Sequence, residues 1–174
     1  KSRGLHGDQG ITVVLRDGDV NMRNIQEQLV KLRNRVRNRP SDTVAVFLAG
    51  HTDVVADKFS LLRIDYPFPE RGQIERTSII PFELIYQYVA YLGCQQRLMI
   101  VDACRSGEIL RDKGVEVVRR EIDSDAHRGR TSYILAAARA GSLAGESDAL
   151  EHGLLTYSLL RGMGATGLKP VDFT

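Results

Sequence analysis

The chain has little of what marks several protein classes. Its 174 residues include two cysteines, too few for a disulfide framework, and they form neither a Cys-x-x-Cys pair nor a His/Cys cluster with zinc spacing. A net charge of +2 is too small to indicate binding to nucleic acid or to a membrane surface. No apolar run is long enough to cross a bilayer. We therefore expect a cytoplasmic protein in a reducing setting, with no metal, membrane or nucleic-acid partner.

The composition is that of an ordinary globular chain. Hydrophobic residues make up 43% and charged residues 26% of the sequence. The length is sufficient for one domain with a full hydrophobic core, and no internal repeat or low-complexity segment divides it. No Gly-rich phosphate-binding loop follows any predicted strand, which disfavours a nucleotide-binding domain.

The most informative stretch is QRLMIVDACRSGE, residues 96–108. An apolar run that leads into a small-residue turn is typical of a buried strand followed by an exposed loop. Because side chains alternate along a strand, Asp102 and Cys104 are expected to face the same way at its carboxyl end. In open α/β sheets, ligand crevices form at this edge.

A second predicted strand also ends on a reactive side chain. Residues 42–50 read DTVAVFLAG, and His51 follows directly. If the two strands lie side by side in parallel, the imidazole and the Cys104 thiol meet at one edge. A thiol needs a base to become the nucleophilic thiolate, so this pair predicts nucleophilic catalysis. Cys94 follows a predicted helix and is expected to be structural.

The rest of the chain alternates between strand and helix patterns. The further predicted elements are strands at 11–16 and 131–138, a hairpin within 54–65, and helices at 22–38, 81–92 and 153–162. Residues 108–130 are charged and weakly patterned, which predicts an exposed linker. This order of elements favours an α/β fold with a parallel sheet covered by helices.

These motifs together resemble a known family. FLAGHTD, with VDACRSG 53 positions later, is similar to the His and Cys motifs of caspase-like cysteine peptidases, in the variant found in metacaspases and bacterial orthocaspases. KFSLLRID resembles the hairpin after the histidine. ILAAARAGSLAGES and EHGLLTYSLLRGM resemble the small-subunit segment of bacterial caspase-like domains. The resemblance covers about residues 11–163 and implies a three-layer sandwich with a mostly parallel central sheet flanked by helices.

The resemblance also implies an internal organisation. Within a single peptidase domain, 1–174, it predicts a large-subunit-like part at about 1–110, a linker at about 108–130 and a small-subunit-like part at about 131–174. The family's first core strand has no counterpart ahead of Ile11. We therefore expect a fragment of a longer chain, with fused or partner regulatory domains.

The activity that the resemblance implies is cysteine endopeptidase, acting on protein or peptide substrates. Cys104 would be the nucleophile and His51 the general base and acid. The backbone N–H groups of Cys104 and Thr52 would hold the oxyanion, although the family usually has Gly where Thr52 stands. No cofactor is expected. Some metacaspases need calcium, but Asp17 and Asp19 lack the other ligands of a calcium loop and predict a turn.

The same resemblance predicts the specificity pocket. Asp102 would line the pocket for the residue before the cleaved bond, with Glu146 as the second acid and Ser142 nearby. Carboxylates there favour Arg or Lys, because a buried charge needs a partner. The alternatives are a loop-capping role for Asp102 and a surface position for Glu146. Arg105 and Arg139 leave open cleavage after Asp.

Two further expectations concern function. If the pocket accepts basic residues, the arginines within 108–130 are candidate self-cleavage sites. The alternative to an enzyme is a catalytically inactive caspase-like scaffold that serves as an interaction module.

Overall fold

The computed structural model describes residues 10–66, 78–103, 129–137, 146–147 and 152–167, together with Arg120 and Ser124. Within these ranges the central sheet has three parallel strands in the order β1-β5-β6. They are β1 (Thr43–Gly50), β5 (Gln96–Ala103) and β6 (Thr131–Ala136). The α/β architecture with a mostly parallel sheet is therefore confirmed.

In the described ranges, smaller ladders and α-helices surround this sheet. The antiparallel strands are β2 (Thr52–Val55), β3 (Lys58–Leu62) and β4 (Ile79–Pro81) in one sheet, and β7 (Glu146–Ser147) with β8 (His152–Gly153) in another. The helices are α1 (Met22–Val36), α2 (Phe82–Ala90) and α3 (Leu154–Gly162). In the described part of the chain, no helix is both long and apolar enough to span a membrane.

One face of the central sheet forms the hydrophobic core with α1 and α2. Alternate residues of the strands are buried there, since side chains of a strand point to opposite faces. The core joins Leu29 of α1 and Ile85 of α2 to Val44 of β1 and to Met99 and Val101 of β5. The burial holds β1 and β5, the two strands that lead to the predicted catalytic residues, in a fixed position.

A buried arginine ties α2 to β5. Arg97 donates hydrogen bonds from Nη1 to the carbonyl oxygens of Val89 and Ala90, the latter at 2.6 Å. These carbonyls lie in the last turn of α2, and that of Val89 also accepts a hydrogen bond from the Leu92 N–H at 3.1 Å. The guanidinium therefore caps the helix and fixes it against the strand that ends at the site.

The strand predicted at 11–16 is wrong. These residues form no ladder in the structure, and Ile11, Val13 and Val14 are at least half exposed. The segment ITVVLR is rich in β-branched and apolar residues, which favour a strand, but a strand is stable only when its backbone groups pair. No described strand pairs with this segment.

The turn predicted at Asp17 and Asp19 is confirmed. Asp17–Asp19 forms one turn of 3-10 helix, closed by a hydrogen bond from the Val20 N–H to the Asp17 carbonyl at 3.0 Å.

Across the described ranges, no group of three or more His, Cys, Asp or Glu side chains could hold a metal ion. Most of the linker predicted at 108–130 lies outside the described residues.

Candidate active site

The two strands that lead to the predicted catalytic residues are neighbours in the sheet. β1 and β5 pair in parallel over their full length, and the last pair in register is Gly50 with Ala103. His51 and Cys104 each follow directly in the sequence. His51 is exposed, and Cys104 lies outside the described residues. The side-by-side parallel arrangement predicted for these strands is thus confirmed.

The backbone around His51 is constrained on both sides. Gly50 has a φ of +144°, a conformation that residues with a side chain rarely adopt. The carbonyl oxygen of His51 accepts a hydrogen bond from the Leu62 N–H at 2.9 Å. The chain therefore leaves the parallel sheet at Gly50 and enters the β2–β3 hairpin with the position of His51 fixed.

Thr52 begins this hairpin and is buried. It pairs with Leu61, one step beyond the hydrogen-bonded position of His51 and Leu62. Hydrogen-bonded and non-hydrogen-bonded pairs alternate in an antiparallel ladder, so the Thr52 N–H is directed away from β3. This direction is compatible with the predicted oxyanion role, which stays a prediction.

Asp102 joins the end of β5 to the start of α3. Its side chain is buried, with 7% exposure, and Oδ2 accepts two hydrogen bonds from Thr156. One comes from the Thr156 N–H at 2.8 Å and the other from the hydroxyl Oγ1. Thr156 lies in the first turn of α3, where backbone N–H groups lack intrahelical partners and favour an anion. The carboxylate therefore caps the start of α3.

Gly153 packs directly against this carboxylate. A Cβ built at Gly153 would lie 2.5 Å from Asp102 Oδ2 and 2.6 Å from Oδ1, so the position has no room for a side chain. The short β7–β8 ladder pairs Gly153 with Glu146. Glu146 is the second predicted acid. Its backbone therefore lies one strand spacing from Gly153, which contacts Asp102. Ser142, Arg105 and Arg139 lie outside the described residues.

One of three comparisons with known proteins gave a match. The family model of the caspase domain, a peptidase family, matches residues 5–172. The chain belongs to the caspase-domain family of cysteine peptidases. Separate searches of curated proteins and of solved structures gave no match. The resemblance drawn from the His and Cys motifs is confirmed at the level of the family.

Two residues that contact Asp102, namely Gly153 and Thr156, were not identified from the sequence. Gly153 and Thr156 lie in the stretch EHGLLTYS, where a glycine precedes an apolar helical run and a threonine follows in the first turn. That pattern predicts a helix start, but it does not say what the helix N-terminus contacts. The contact with Asp102 spans 54 positions of sequence and becomes visible only in the fold.

Cys94, the other cysteine of the caspase domain, is part of the hydrophobic core. Cys94 has 0% exposure, and burial raises the pKa of its thiol, an effect that the nearby Arg97 charge partly offsets. A raised pKa keeps the thiol protonated near neutral pH, and a protonated thiol is a poor nucleophile.

We expect Cys94 to resist alkylation in the folded protein. A Cys104→Ala variant, which keeps only Cys94, should take up almost no iodoacetamide at pH 7 and about one equivalent in guanidinium chloride, because only unfolding exposes the thiol. Intact-mass spectrometry measures both values. Stoichiometric labelling of the folded variant within minutes would contradict a buried, protonated Cys94.

Proposed function

We propose that this caspase domain is a cysteine endopeptidase of the metacaspase or orthocaspase type, which uses His51 and Cys104 and cleaves protein substrates after Arg or Lys. The observation that carries the proposal is the register of Gly50 with Ala103. Neighbouring strands lie about 4.8 Å apart, and successive Cα atoms are about 3.8 Å apart. The strand ends that precede His51 and Cys104 in the sequence therefore lie at one edge of the sheet, which supports an imidazole–thiol pair.

In the proposed mechanism, the Cys104 thiolate attacks the carbonyl carbon of the scissile bond and forms a C–S bond. The backbone N–H groups of Cys104 and Thr52 stabilise the resulting oxyanion, an effect worth about 3 kcal/mol per donor. His51 then protonates the leaving amine as the C–N bond breaks. A water molecule, deprotonated by His51, hydrolyses the thioester and releases the thiolate.

The proposed preference for basic residues depends on Asp102. A buried carboxylate is costly unless hydrogen bonds and an opposite charge compensate it. Thr156 supplies hydrogen bonds to Oδ2, and the cationic side chain of a substrate would supply the opposite charge. Glu146, which pairs with Gly153 in the β7–β8 ladder, is proposed as the second acid, with Ser142 nearby.

The proposed enzyme needs no cofactor, and a reducing compartment such as the cytoplasm would keep its thiolate active. Basic residues within 108–130, among them Arg119 and Arg120, are proposed sites of self-processing. Fused or partner domains would supply regulation.

A panel of fluorogenic peptides tests this function. The peptides differ only in the residue before the scissile bond, which is Arg, Lys, Asp or Leu, and each is assayed with and without calcium. We expect turnover of the Arg and Lys peptides, and an Asp102→Asn variant that loses most of it. Turnover of the Asp peptide alone would refute the acidic pocket. If folded protein turns over none of the peptides, an inactive scaffold is the better description.

A further inference from the structure

We propose that Thr156 and Gly153 are positioning residues of the specificity pocket, which fix Asp102 so that only Oδ1 receives the substrate's cation. The inference rests on the proposed function and deepens it. Neither residue belongs to the predicted catalytic pair. Their importance follows from their contacts with the Asp102 carboxylate.

The hydrogen bonds from Thr156 distinguish the two oxygens of the Asp102 carboxylate. Each carboxylate oxygen has two lone pairs. On Oδ2 both are used, because Thr156 donates from its backbone N–H and from its hydroxyl. Both donors belong to one residue at the start of α3. They therefore fix the orientation of the carboxylate and also satisfy the hydrogen-bonding capacity of Oδ2. Oδ1 is then the oxygen left to meet a cation.

Arginine and lysine side chains differ in the shape of the cation that would meet Asp102. A guanidinium group normally takes a carboxylate in a fork, with one N–H group on each oxygen. With Oδ2 held by Thr156, Asp102 offers one oxygen, and the second arm of the fork needs another acceptor. Glu146 is the acid whose backbone pairs with Gly153. A lysine ammonium is a point charge and has no such requirement. A guanidinium would thus need Asp102 Oδ1 and Glu146 at the same time, which requires Asp102 to keep one orientation. Selectivity for Arg over Lys should therefore depend on how Thr156 and Gly153 orient Asp102.

Gly153 limits the space around the Asp102 carboxylate. Gly153 has φ −62° and ψ 152°, angles that any residue adopts without strain. An alanine there would leave the backbone unchanged and place its Cβ 2.5 Å from Asp102 Oδ2. The carboxylate would have to move. Gly153→Ala thus displaces Asp102 by steric contact alone.

The test compares kcat and KM for matched Arg and Lys peptides. The variants are Thr156→Val, which keeps the N–H and removes the hydroxyl, Thr156→Ser, which keeps both, and Gly153→Ala. The controls are Ser158→Ala, an exposed hydroxyl on the same helix, and Gly162→Ala, where nothing lies within 4 Å of the added Cβ. Thermal unfolding confirms that each variant is folded.

We expect Thr156→Val to lower kcat/KM for the Arg peptide about 10-fold, mainly through KM, and for the Lys peptide by no more than about 3-fold. Thr156→Ser should stay within about 2-fold of the wild type for both. Gly153→Ala should lower kcat/KM for the Arg peptide at least as much as Thr156→Val does. Both controls should match the wild type.

Three outcomes would overturn the inference, and they differ in what else they say. If Thr156→Val behaves like Ser158→Ala while the wild type is active, the contact has no role in specificity and the proposed function stands. If Thr156→Val lowers kcat for both peptides equally with no change in KM, Thr156 only supports the fold. If the wild type cleaves neither peptide, the proposed function fails together with the inference.

Discussion

Cys104→Ala is expected to abolish peptide turnover, with a loss in kcat/KM of at least about 10⁴-fold. The substitution removes the atom that would form the covalent intermediate. His51→Ala should cost a comparable factor, and the double variant should be no worse than either single variant, because the two residues would act as a unit. The measurement is kcat/KM for the Arg peptide over several hours at high enzyme concentration.

The chain offers a matched control for the first of these substitutions. Cys94→Ala also removes a thiol, but from a buried core position. It should leave turnover unchanged and lower the unfolding temperature slightly, since a smaller side chain fills the core less well. The opposite result, an active Cys104→Ala and an inactive Cys94→Ala, would rule out the proposed nucleophile.

Gly50→Ala is expected to lower kcat/KM about 100-fold and to destabilise the fold by about 1–3 kcal/mol. Nothing lies within 4 Å of a Cβ built at Gly50, so space is not the reason. The reason is the φ of +144°, which an alanine adopts only under strain. To relieve the strain the backbone must rotate just before His51, and a displacement of about 1 Å in a catalytic group can cost two orders of magnitude.

Gly18→Ala serves as the control for Gly50→Ala. A Cβ at Gly18 also meets nothing within 4 Å, and the residue lies in the Asp17–Asp19 turn, on a different element from either catalytic position. This variant should keep its activity. Full activity of Gly50→Ala, with an unchanged unfolding temperature, would show that the bend before His51 does not position it.

Much of the framework could be predicted from the sequence. The predicted strands at 42–50 and 96–103 correspond to β1 and β5, and the helical spacing that starts at Met22 is that of α1. Their parallel pairing follows from the alternation of strands and helices. The positions of His51 and Cys104 after these strands could therefore be inferred from local patterns combined with one general rule of topology.

The surroundings of Asp102 could be predicted only in part, for a physical reason. Local patterns identify Asp102 at the end of a strand, whereas its hydrogen-bond partner depends on where α3 packs in the tertiary structure. The β7 and β8 strands are two residues each, too short to show a period of two. The segment at 11–16 shows the reverse failure, since it has the composition of a strand but forms no ladder with any described strand.

The separation of Asp102 from Thr156 also has a consequence for biosynthesis. A ribosome adds about 5–20 residues per second, so the 54 positions between them take about 3–11 s to synthesise. During that interval β1 and β5 have already been made, but the proposed specificity acid has no helix to hold it. A nascent chain would therefore carry both strands of the proposed catalytic pair before its pocket exists. Selective cleavage would begin only after α3 has been made and has packed against β5.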